Sequence, residues 1–403
     1  MTLPLLVRRS LQQHAFSSAI CTLAVALAGA LLMTVWSLKE SARQAFERTG
    51  SGYDAVLGAR GSKLQLVLNG LFFMDESPGT VPATDWQSLQ SHPAVQAAIP
   101  LAMGDNYLGF RIVGTTTNYF TDIPYAPNRT HHVATPGRLF DPTLREVVAG
   151  SVAAHQLHLQ RGDRIRPYHG LNFDPDHEHE EEYLVVGVLE PSNTPADRVL
   201  WIPLAGVQHM DGHDPTRANE LSAVLVRFKP DRMVAGQQLD RQYNREDTRL
   251  TFAWPAAQIV ARLLERVVWM ERLLILVAWL VAAVAAATIL VTLYGSLNER
   301  RRDLAILRAL GAHRRTVFGL LLLEAAVISL CGVALSAVLH LGIHSAVSSF
   351  VRNQTGITLE LSTGLPGAVV IALGMLCLGT AAGLIPATKA YREDVAANLS
   401  PLS

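Results

Sequence analysis

The segment NERRRDLAILRALGAHRR, at residues 298–315, lies between two long apolar stretches and decides how the whole sequence is interpreted. It places six arginines within eighteen residues. Basic residues collect on the cytoplasmic side of membrane proteins, so this short connection predicts a cytoplasmic loop between two membrane spans. Such a loop also offers a surface on which a cytoplasmic partner can dock.

Apolar residues are concentrated in four runs that are nearly free of charge. The chain of 403 residues is 49% hydrophobic and 17% charged, and the uncharged runs cover residues 15–38, 273–298, 325–351 and 361–388. Each run exceeds the roughly 20 residues that a helix needs to cross the hydrocarbon core. The sequence therefore predicts an α-helical membrane protein with four transmembrane helices and a large mixed α/β extracytoplasmic domain on a helical stalk.

Lysines and arginines fix the orientation of these spans. Arg8 and Arg9 precede the first span, the arginine-rich segment follows the second, and Lys389 and Arg392 follow the fourth. All three regions are predicted to face the cytoplasm. The first run is longer than the roughly 7–15 residues of a signal-peptide core, which favours an uncleaved anchor over a cleaved signal sequence.

The predicted boundaries follow from this orientation. They are a cytoplasmic segment with the first span at 1–38, the extracytoplasmic domain with its stalk helices at 39–266, the second span at 267–297, the arginine-rich segment at 298–315, the third span at 316–347, an outer loop at 348–364, the fourth span at 365–387 and a cytoplasmic tail at 388–403.

The large domain carries signals for both strands and helices. Residues 107–113, 183–189 and 223–228 are predicted to be extended. Helices are predicted to begin at Thr84, where Gln87 would complete a capping box, and at Ser151.

The approach to the second span predicts a stalk. Residues 256–294 contain no proline or glycine. One continuous helix over this range would be about 60 Å long, twice the thickness of the hydrocarbon core. Such a helix could carry movement between the outer domain and the membrane.

As a helix, the arginine-rich segment is amphipathic, because a rotation of about 100° per residue separates its aliphatic residues from several of its arginines. The two sets are Ile306, Leu307 and Leu310 against Arg301, Arg302 and Arg308. Gly311 suits the end of this helix, since glycine adopts the left-handed conformation at little cost. The pattern fits an interfacial helix that binds anionic lipid headgroups, or a helix that inserts into a groove on a cytoplasmic partner.

The block ERRRDLAILRALGAHRR at residues 299–315 resembles the coupling segment of FtsX-like permeases, the membrane subunits of the MacB, LolC/LolE and FtsX group of ABC transporters. In that family the segment contacts the nucleotide-binding subunit. The resemblance assigns ATPase coupling to Glu299, Arg300, Arg301, Arg302, Asp303, Ile306, Leu307, Arg308, Leu310 and Gly311. Asp303 stands where an acidic residue is usual. Glu324 and the sequence Ile385-Pro386-Ala387 before Tyr391-Arg392 are further similarities.

The large domain is similar to the MacB-type periplasmic core. The similar motifs are Ile112-Val113-Gly114 with Tyr119-Phe120, Pro136-Gly137-Arg138-Leu139-Phe140, Glu146-Val147-Val148 and the strand at 183–189. The resemblance implies a bacterial inner-membrane protein with its large domain in the periplasm, a second permease chain in a homodimer or heterodimer, and contact with membrane lipid. It also implies a cargo taken from the outer leaflet or periplasm, such as a hydrophobic peptide, lipoprotein, lipid or drug.

The sequence lacks the motif that an ATPase requires. No Gly-x-x-x-x-Gly-Lys-Ser/Thr occurs, and the glycine-containing residues 58–63 are too short to form one. ATP and Mg²⁺ are therefore expected on a separate ABC ATPase, with no catalysis and no cofactor assigned to this chain. A net charge of zero argues against a nucleic-acid partner.

The loop HGLNFDPDHEHEEE, at residues 169–182, combines histidines with carboxylates. His169, Asp176, His177 and His179 are its candidate zinc ligands, because imidazole and carboxylate both bind this ion. The same composition is typical of a solvated loop. If a metal is bound, the chain could be a zinc-linked uptake or sensing permease. A further alternative is a regulator that transports nothing and switches a periplasmic partner protein.

Three polar residues fall in the predicted third span. Glu324 lies between the inner surface and the midplane, where capping a helix end or pairing with an arginine is favoured over a transport role. His340 and His344 are four residues apart. They could relay protons inside a helix bundle, or meet water and headgroups near the outer surface.

Overall fold

The computed structural model describes residues 3–49, 52–126, 128–171, 173–210, 216, 218–247, 249–299, 306, 308, 311–355 and 365–392. The chain divides into two compact units. The membrane unit comprises Met1–Ser41, Val268–Val347 and Glu360–Ser403, and the α/β unit comprises Ala42–Val267 and Ser348–Leu359.

Among the described residues, the α-helices in chain order are α1 (Leu3–Gln13), α2 (Ala15–Thr49), α3 (Lys63–Phe72), α4 (Ala83–Gln90), α5 (Asn118–Thr121), α6 (Ser151–Leu157), α7 (Leu204–Gln208), α8 (Ala235–Arg241), α9 (Ala256–Glu299), α10 (Arg314–Thr355), α11 (Leu365–Ala382) and α12 (Leu384–Arg392). The strands are β1 (Ala55–Ala59), β2 (Val81–Pro82), β3 (Val95–Tyr107), β4 (Phe110–Thr115), β5 (Glu146–Ala149), β6 (Arg164–Ile165), β7 (Tyr168–His169), β8 (Tyr183–Val188), β9 (Leu200–Pro203), β10 (Glu220–Leu221), β11 (Ala223–Phe228) and β12 (Leu250–Ala253).

Long apolar helices form the membrane unit. Four stretches have the length and hydropathy to cross a membrane, namely Ala15–Ser41, Arg272–Leu297, Arg314–Gln354 and Gly367–Arg392. The predicted four spans are thereby confirmed. Helix α9 is continuous over 44 residues, as the absence of proline and glycine predicts.

Small residues bring the membrane helices close together. A Cβ added to Gly332 of α10 would lie 2.6 Å from Val25 of α2, and one added to Gly379 of α11 would lie 2.0 Å from the Ser329 hydroxyl. Such small residues let helix backbones approach closely in lipid, where apolar burial does not drive helices together.

A ten-stranded mixed sheet forms the centre of the α/β unit. Its strand order is β12-β1-β11-β3-β4-β9-β5-β8-β6, and β7 pairs with β3 off this path. The pairs β4–β9 and β5–β8 are parallel. Tyr119 and Phe120, which belong to a motif similar to the MacB-type core, lie in the hydrophobic core of this unit. Their ring centroids are 4.4 and 5.5 Å from the ring centroid of Trp201.

The predicted extended segments are confirmed in two cases and only in part in the third, where residues 110–113 belong to strand β4. Strands β8 and β11 match the predictions at 183–189 and 223–228. The predicted strand at 107–113 instead contains a hairpin turn. Leu108 and Gly109 both have positive φ, the geometry of a tight two-residue loop, and Asn106 Oδ1 accepts a hydrogen bond from the Gly109 N–H at 3.0 Å.

The predicted helix starts have mixed outcomes. Helix α6 begins at Ser151 as expected. Helix α4 begins one residue before Thr84, and its N-cap residue is Pro82, with no side-chain hydrogen bond to the cap. The predicted capping box of Thr84 and Gln87 is therefore wrong, because Thr84 already lies inside the first turn.

An ion pair links two of the motifs that resemble the MacB-type core. Arg138 Nη1 donates to Glu146 Oε2 at 2.7 Å, Arg138 Nη2 contacts Glu146 Oε1, and the Asp141 N–H donates to Glu146 Oε2 at 2.8 Å. The Glu146 carboxylate is buried. Hydrogen bonding from Arg138 holds the pKa of Glu146 below its ordinary value. The pair thus fixes the loop before β5 onto the strand.

We expect Arg138→Gln to lower the thermal unfolding midpoint of the full-length protein, and the loss to depend on pH. Because the pKa of Glu146 is lower in the folded state, the pair stabilises the fold above the ordinary glutamate pKa, and this contribution disappears as the pH falls through the folded pKa. The difference from wild type should therefore be largest near neutral pH and shrink below about pH 4.

The matched control for this measurement is Arg232→Gln. Arg232 pairs with Asp231, and both side chains are exposed, at 66% and 74%. Exposed pairs contribute little stability, so the midpoint of this variant should follow wild type at every pH. A midpoint difference for Arg138→Gln that stays constant across the pH range would contradict the role given to Glu146.

Candidate functional site: the coupling region and a histidine–aspartate cluster

The helix ends that flank the arginine-rich segment share one apolar cluster. It is formed by α1, the end of α9, the start of α10 and α12, through Val7, Leu297, Val317, Leu320, Leu321, Ala387 and Ala390. Leu297 precedes the segment and Val317 follows it. Both ends of the segment are therefore anchored in the same packed layer, here called the anchoring layer.

Polar contacts join the same helices. Ser10 Oγ of α1 donates to Glu324 Oε1 of α10 at 2.6 Å. His14 Nε2 lies 3.1 Å from Glu299 Oε2, at the end of α9. Lys389 of α12 contacts the Tyr294 hydroxyl, and its Nζ lies 3.9 Å from the centroid of that ring.

Four of the ten residues assigned to ATPase coupling belong to the described part of the chain. Glu299 has an exposed side chain, Ile306 and Arg308 are helical, and Ile306 is 42% exposed. Gly311 has a φ of +102° and donates its N–H to the Arg308 carbonyl at 3.1 Å. The predicted left-handed conformation of Gly311 is confirmed. The remaining predicted residues, Arg300, Arg301, Arg302, Asp303, Leu307 and Leu310, lie outside the described residues.

The polar residues of the third span face neighbouring helices. Glu324 is 2% exposed, and its contact with Ser10 ties α10 to α1. His340 and His344 are buried, with Nδ1 atoms 3.1 Å from the Thr34 hydroxyl and 3.3 Å from the Ser37 hydroxyl of α2. Burial against α2 argues against the headgroup alternative for these two histidines.

The histidine-rich loop brings two of its predicted metal ligands to a buried aspartate. Asp105 Oδ1 lies 3.5 Å from His169 Nδ1 and 3.3 Å from His179 Nε2. One potential ligand atom from each residue lies within 4.8 Å of those of the other two. Asp105 and His179 are buried, and the His169 side chain is 55% exposed.

The other two predicted ligands lie outside this cluster. His177 ends a short 3₁₀ turn, Pro175–His177, and its Nδ1 is 2.9 Å from Asp174 Oδ2. Asp176 uses its backbone N–H to bond Asp174 Oδ1 at 3.1 Å. The predicted set is thus brought together only in part. Asp105, which sequence reasoning missed, completes it from a strand 64 residues earlier than His169.

Another histidine of the α/β unit has a structural role. His131 stacks on Tyr119 with a centroid distance of 5.5 Å and contacts Tyr125 at 4.7 Å. Burial, reinforced by His132, lowers the pKa of His131 to about 4. The imidazole is therefore neutral near physiological pH and acts as part of the aromatic core.

Two family models match the sequence over most of its length. A model described as the MacB-like periplasmic core domain matches residues 18–239, more than half of the chain. A second, described as the FtsX-like permease C-terminal region, matches residues 275–395. The chain belongs to the FtsX/MacB-type ABC permeases. Membership confirms the resemblance and assigns the α/β domain of this permease to the extracytoplasmic side of the membrane.

The solved structures that are similar to the permease include one periplasmic region and one extracellular domain. The periplasmic region of MacB from Actinobacillus actinomycetemcomitans has 12% sequence identity and a TM-score of 0.35, covering 53% of this chain and 94% of that chain. The extracellular domain of the noncanonic ABC-type transporter YknZ from Gram-positive bacteria has 16% identity and a TM-score of 0.31, covering 49% and 97%. No curated protein matches the sequence.

We expect Ser10→Ala to destabilise the membrane unit, because the buried Glu324 side chain loses the hydrogen bond from Ser10. A hydrogen bond contributes about 0.5–1.5 kcal/mol, so the thermal midpoint of the detergent-solubilised permease should fall. Ser17→Ala, on the half-buried first turn of α2, is the control and should match wild type. Equal midpoints for Ser10→Ala and wild type would show that the contact contributes nothing.

Proposed function

We propose that this permease transmits conformational change between an ABC ATPase in the cytoplasm and its own extracytoplasmic domain. The observation that supports this most directly is the anchoring layer, which holds both ends of the arginine-rich segment. A force applied to the segment would act on α9, α10 and α12 together, because these helices share one packed cluster with α1. A loosely tethered loop would absorb the same force.

Helix α9 supplies the path for this movement in the proposal. It starts at Ala256, which is fully buried in the core of the α/β unit, and continues without a break to Glu299, the second residue of the arginine-rich segment. Its 44 residues correspond to about 66 Å at 1.5 Å per residue, well beyond the hydrocarbon thickness. A continuous helix resists bending, so displacement at one end is transferred to the other.

The ATPase, the second permease chain and the cargo complete the proposed complex. Two permease chains would sit on two ATP-binding subunits, and ATP-driven closure of those subunits would push the arginine-rich segments. The outer domain would then grip, release or pass a hydrophobic peptide, lipoprotein, lipid or drug for export or extraction. Family membership supports the kind of ATPase partner.

The apolar side of the arginine-rich segment gives a direct test. Leu307→Asp or Leu310→Asp should abolish co-purification with the co-expressed ABC ATPase, because a carboxylate placed in a packed groove loses its solvation. Membrane insertion should be unchanged, as shown by recovery in the membrane fraction. Leu307→Met and Leu310→Met keep the apolar contact and should retain the ATPase. Undiminished ATPase recovery with the aspartate variants would eliminate the docking role of this side.

The orientation of the proposal can be tested by cysteine labelling. In a background without Cys21, Cys331 and Cys377, we expect Arg308→Cys to react with a membrane-impermeant maleimide only after the inner membrane is broken. His177→Cys, at an exposed position, should react as soon as the outer membrane is permeabilised. The reverse pattern of labelling would refute the proposed topology.

A metal-linked permease is the second candidate function. The observation that favours it is the cluster of Asp105, His169 and His179 in the extracytoplasmic domain. Transport or sensing of a metal would require this cluster to bind one.

A further inference from the structure

Strand pairing brings the histidine–aspartate cluster together. Asp105 of β3 and His169 of β7 are direct partners in an antiparallel ladder. A bridge between Tyr168 and Glu178 places the chain that carries His179 beside β7. The Asn106 amide donates to the carbonyls of Tyr168 and Gly170, at 3.4 and 2.9 Å, on either side of His169. Three neighbouring backbone segments therefore each supply one potential ligand.

A β-bulge turns Asp105 towards the cluster. The pairing of β3 with β4 shifts register between Met103 and Asp105. Bulges of this kind re-aim a side chain and are over-represented beside functional sites. The Asp105 side chain is fully buried. A buried carboxylate is costly unless cations and hydrogen bonds compensate it, and two imidazoles face Asp105 here.

The two distances from Asp105 Oδ1 to the histidine nitrogens match the spacing of ligands on one metal ion. Zinc binds imidazole nitrogen at about 2.0–2.1 Å and carboxylate oxygen at about 2.0–2.2 Å in tetrahedral geometry, which places two ligand atoms roughly 3.3–3.5 Å apart. The two measured separations from Asp105 Oδ1 are 3.3 and 3.5 Å. Charge-assisted N–H···O hydrogen bonds are usually shorter, at about 2.7–2.9 Å.

We propose that Asp105, His169 and His179 form a zinc site in the extracytoplasmic domain of this permease. Two imidazoles with one carboxylate suit zinc and similar transition metals, whereas calcium and magnesium prefer sets made only of oxygen atoms. Three protein ligands leave a fourth position open, for water or for a ligand from outside. The exposed edge of His169 provides the route by which the ion enters.

Zinc bound here would link β7 and the segment before β8 to the central strand β3 by coordinating a residue of each. The consequence is a domain whose stability rises with zinc concentration, since a ligand that binds only the folded state stabilises it. This inference concerns a site on the outer domain and is independent of ATPase docking. Loss of zinc binding would leave the transmission proposal intact.

The experiment uses the purified full-length permease in detergent, stripped of metal by a chelator. Zinc is titrated in competition with a chromophoric chelator. We expect one zinc ion per chain with a dissociation constant of micromolar or tighter, and a visible absorption spectrum when cobalt(II) replaces zinc. His169→Ala should weaken zinc binding by at least about 10-fold and remove the cobalt spectrum.

The matched control is His177→Ala. Like His169, His177 has a mostly exposed side chain and faces an aspartate, with 64% exposure against 55%. Both variants should fold, because neither side chain is in the core, and equal midpoints without metal check this. His177→Ala should bind zinc as wild type does. No stoichiometric zinc binding by wild type, or equal weakening in both variants, would overturn the proposed site and leave an imidazole–carboxylate hydrogen-bond cluster.

Discussion

The high cost of placing charge in hydrocarbon organises this permease. Lysines and arginines accordingly lie at the ends of the apolar helices, and the described interior of the spans is mainly aliphatic, with a few hydroxyls and the buried His340 and His344. Glu324 is the one acidic side chain among the described span interiors, and it is 2% exposed. Its hydrogen bond with Ser10 compensates part of that cost and at the same time fixes α1 to the bundle.

The same constraint applies to the arginine-rich segment. Its six arginines are costly to place in hydrocarbon, so the sequence predicts that residues 298–315 lie at the membrane surface. The anchoring layer then closes the helix ends around aliphatic side chains such as Leu297 and Val317. In the proposed mechanism, a charged segment flanked on both sides by packed apolar residues would pass an applied force to the helices that carry those residues.

Local signals in the sequence predicted local structure well. The four spans, the uninterrupted helix α9 and the left-handed Gly311 all depend on residues within one helix, so composition and spacing are sufficient. The hairpin at Leu108 and Gly109 was missed because its first loop residue is an aliphatic one, which reads as strand. The Thr84 capping box failed because the N-cap of α4 is Pro82, two residues earlier than the motif requires.

Contacts between distant parts of the chain could not be predicted in the same way. Ser10 and Glu324 are 314 residues apart, and nothing near either residue indicates its partner. The histidine-rich loop shows the same limitation of sequence-based prediction. Its composition made His169, His177 and His179 equal candidates for metal ligands, yet only His169 and His179, which lie beside strand β3, are close to Asp105.

The division between these histidines follows from backbone geometry. His169 is held in a strand opposite Asp105, whereas His177 sits in a 3₁₀ turn stabilised by its own neighbour, Asp174. A residue in a ladder has its direction fixed by the partner strand, while a residue in a local turn satisfies its hydrogen bonds within a few positions. The pairing of β7 with β3 brings His169 to Asp105, and the bridge between Tyr168 and Glu178 brings His179 there as well. Strand pairing in the outer domain, rather than its histidine content alone, therefore decides which histidines reach Asp105.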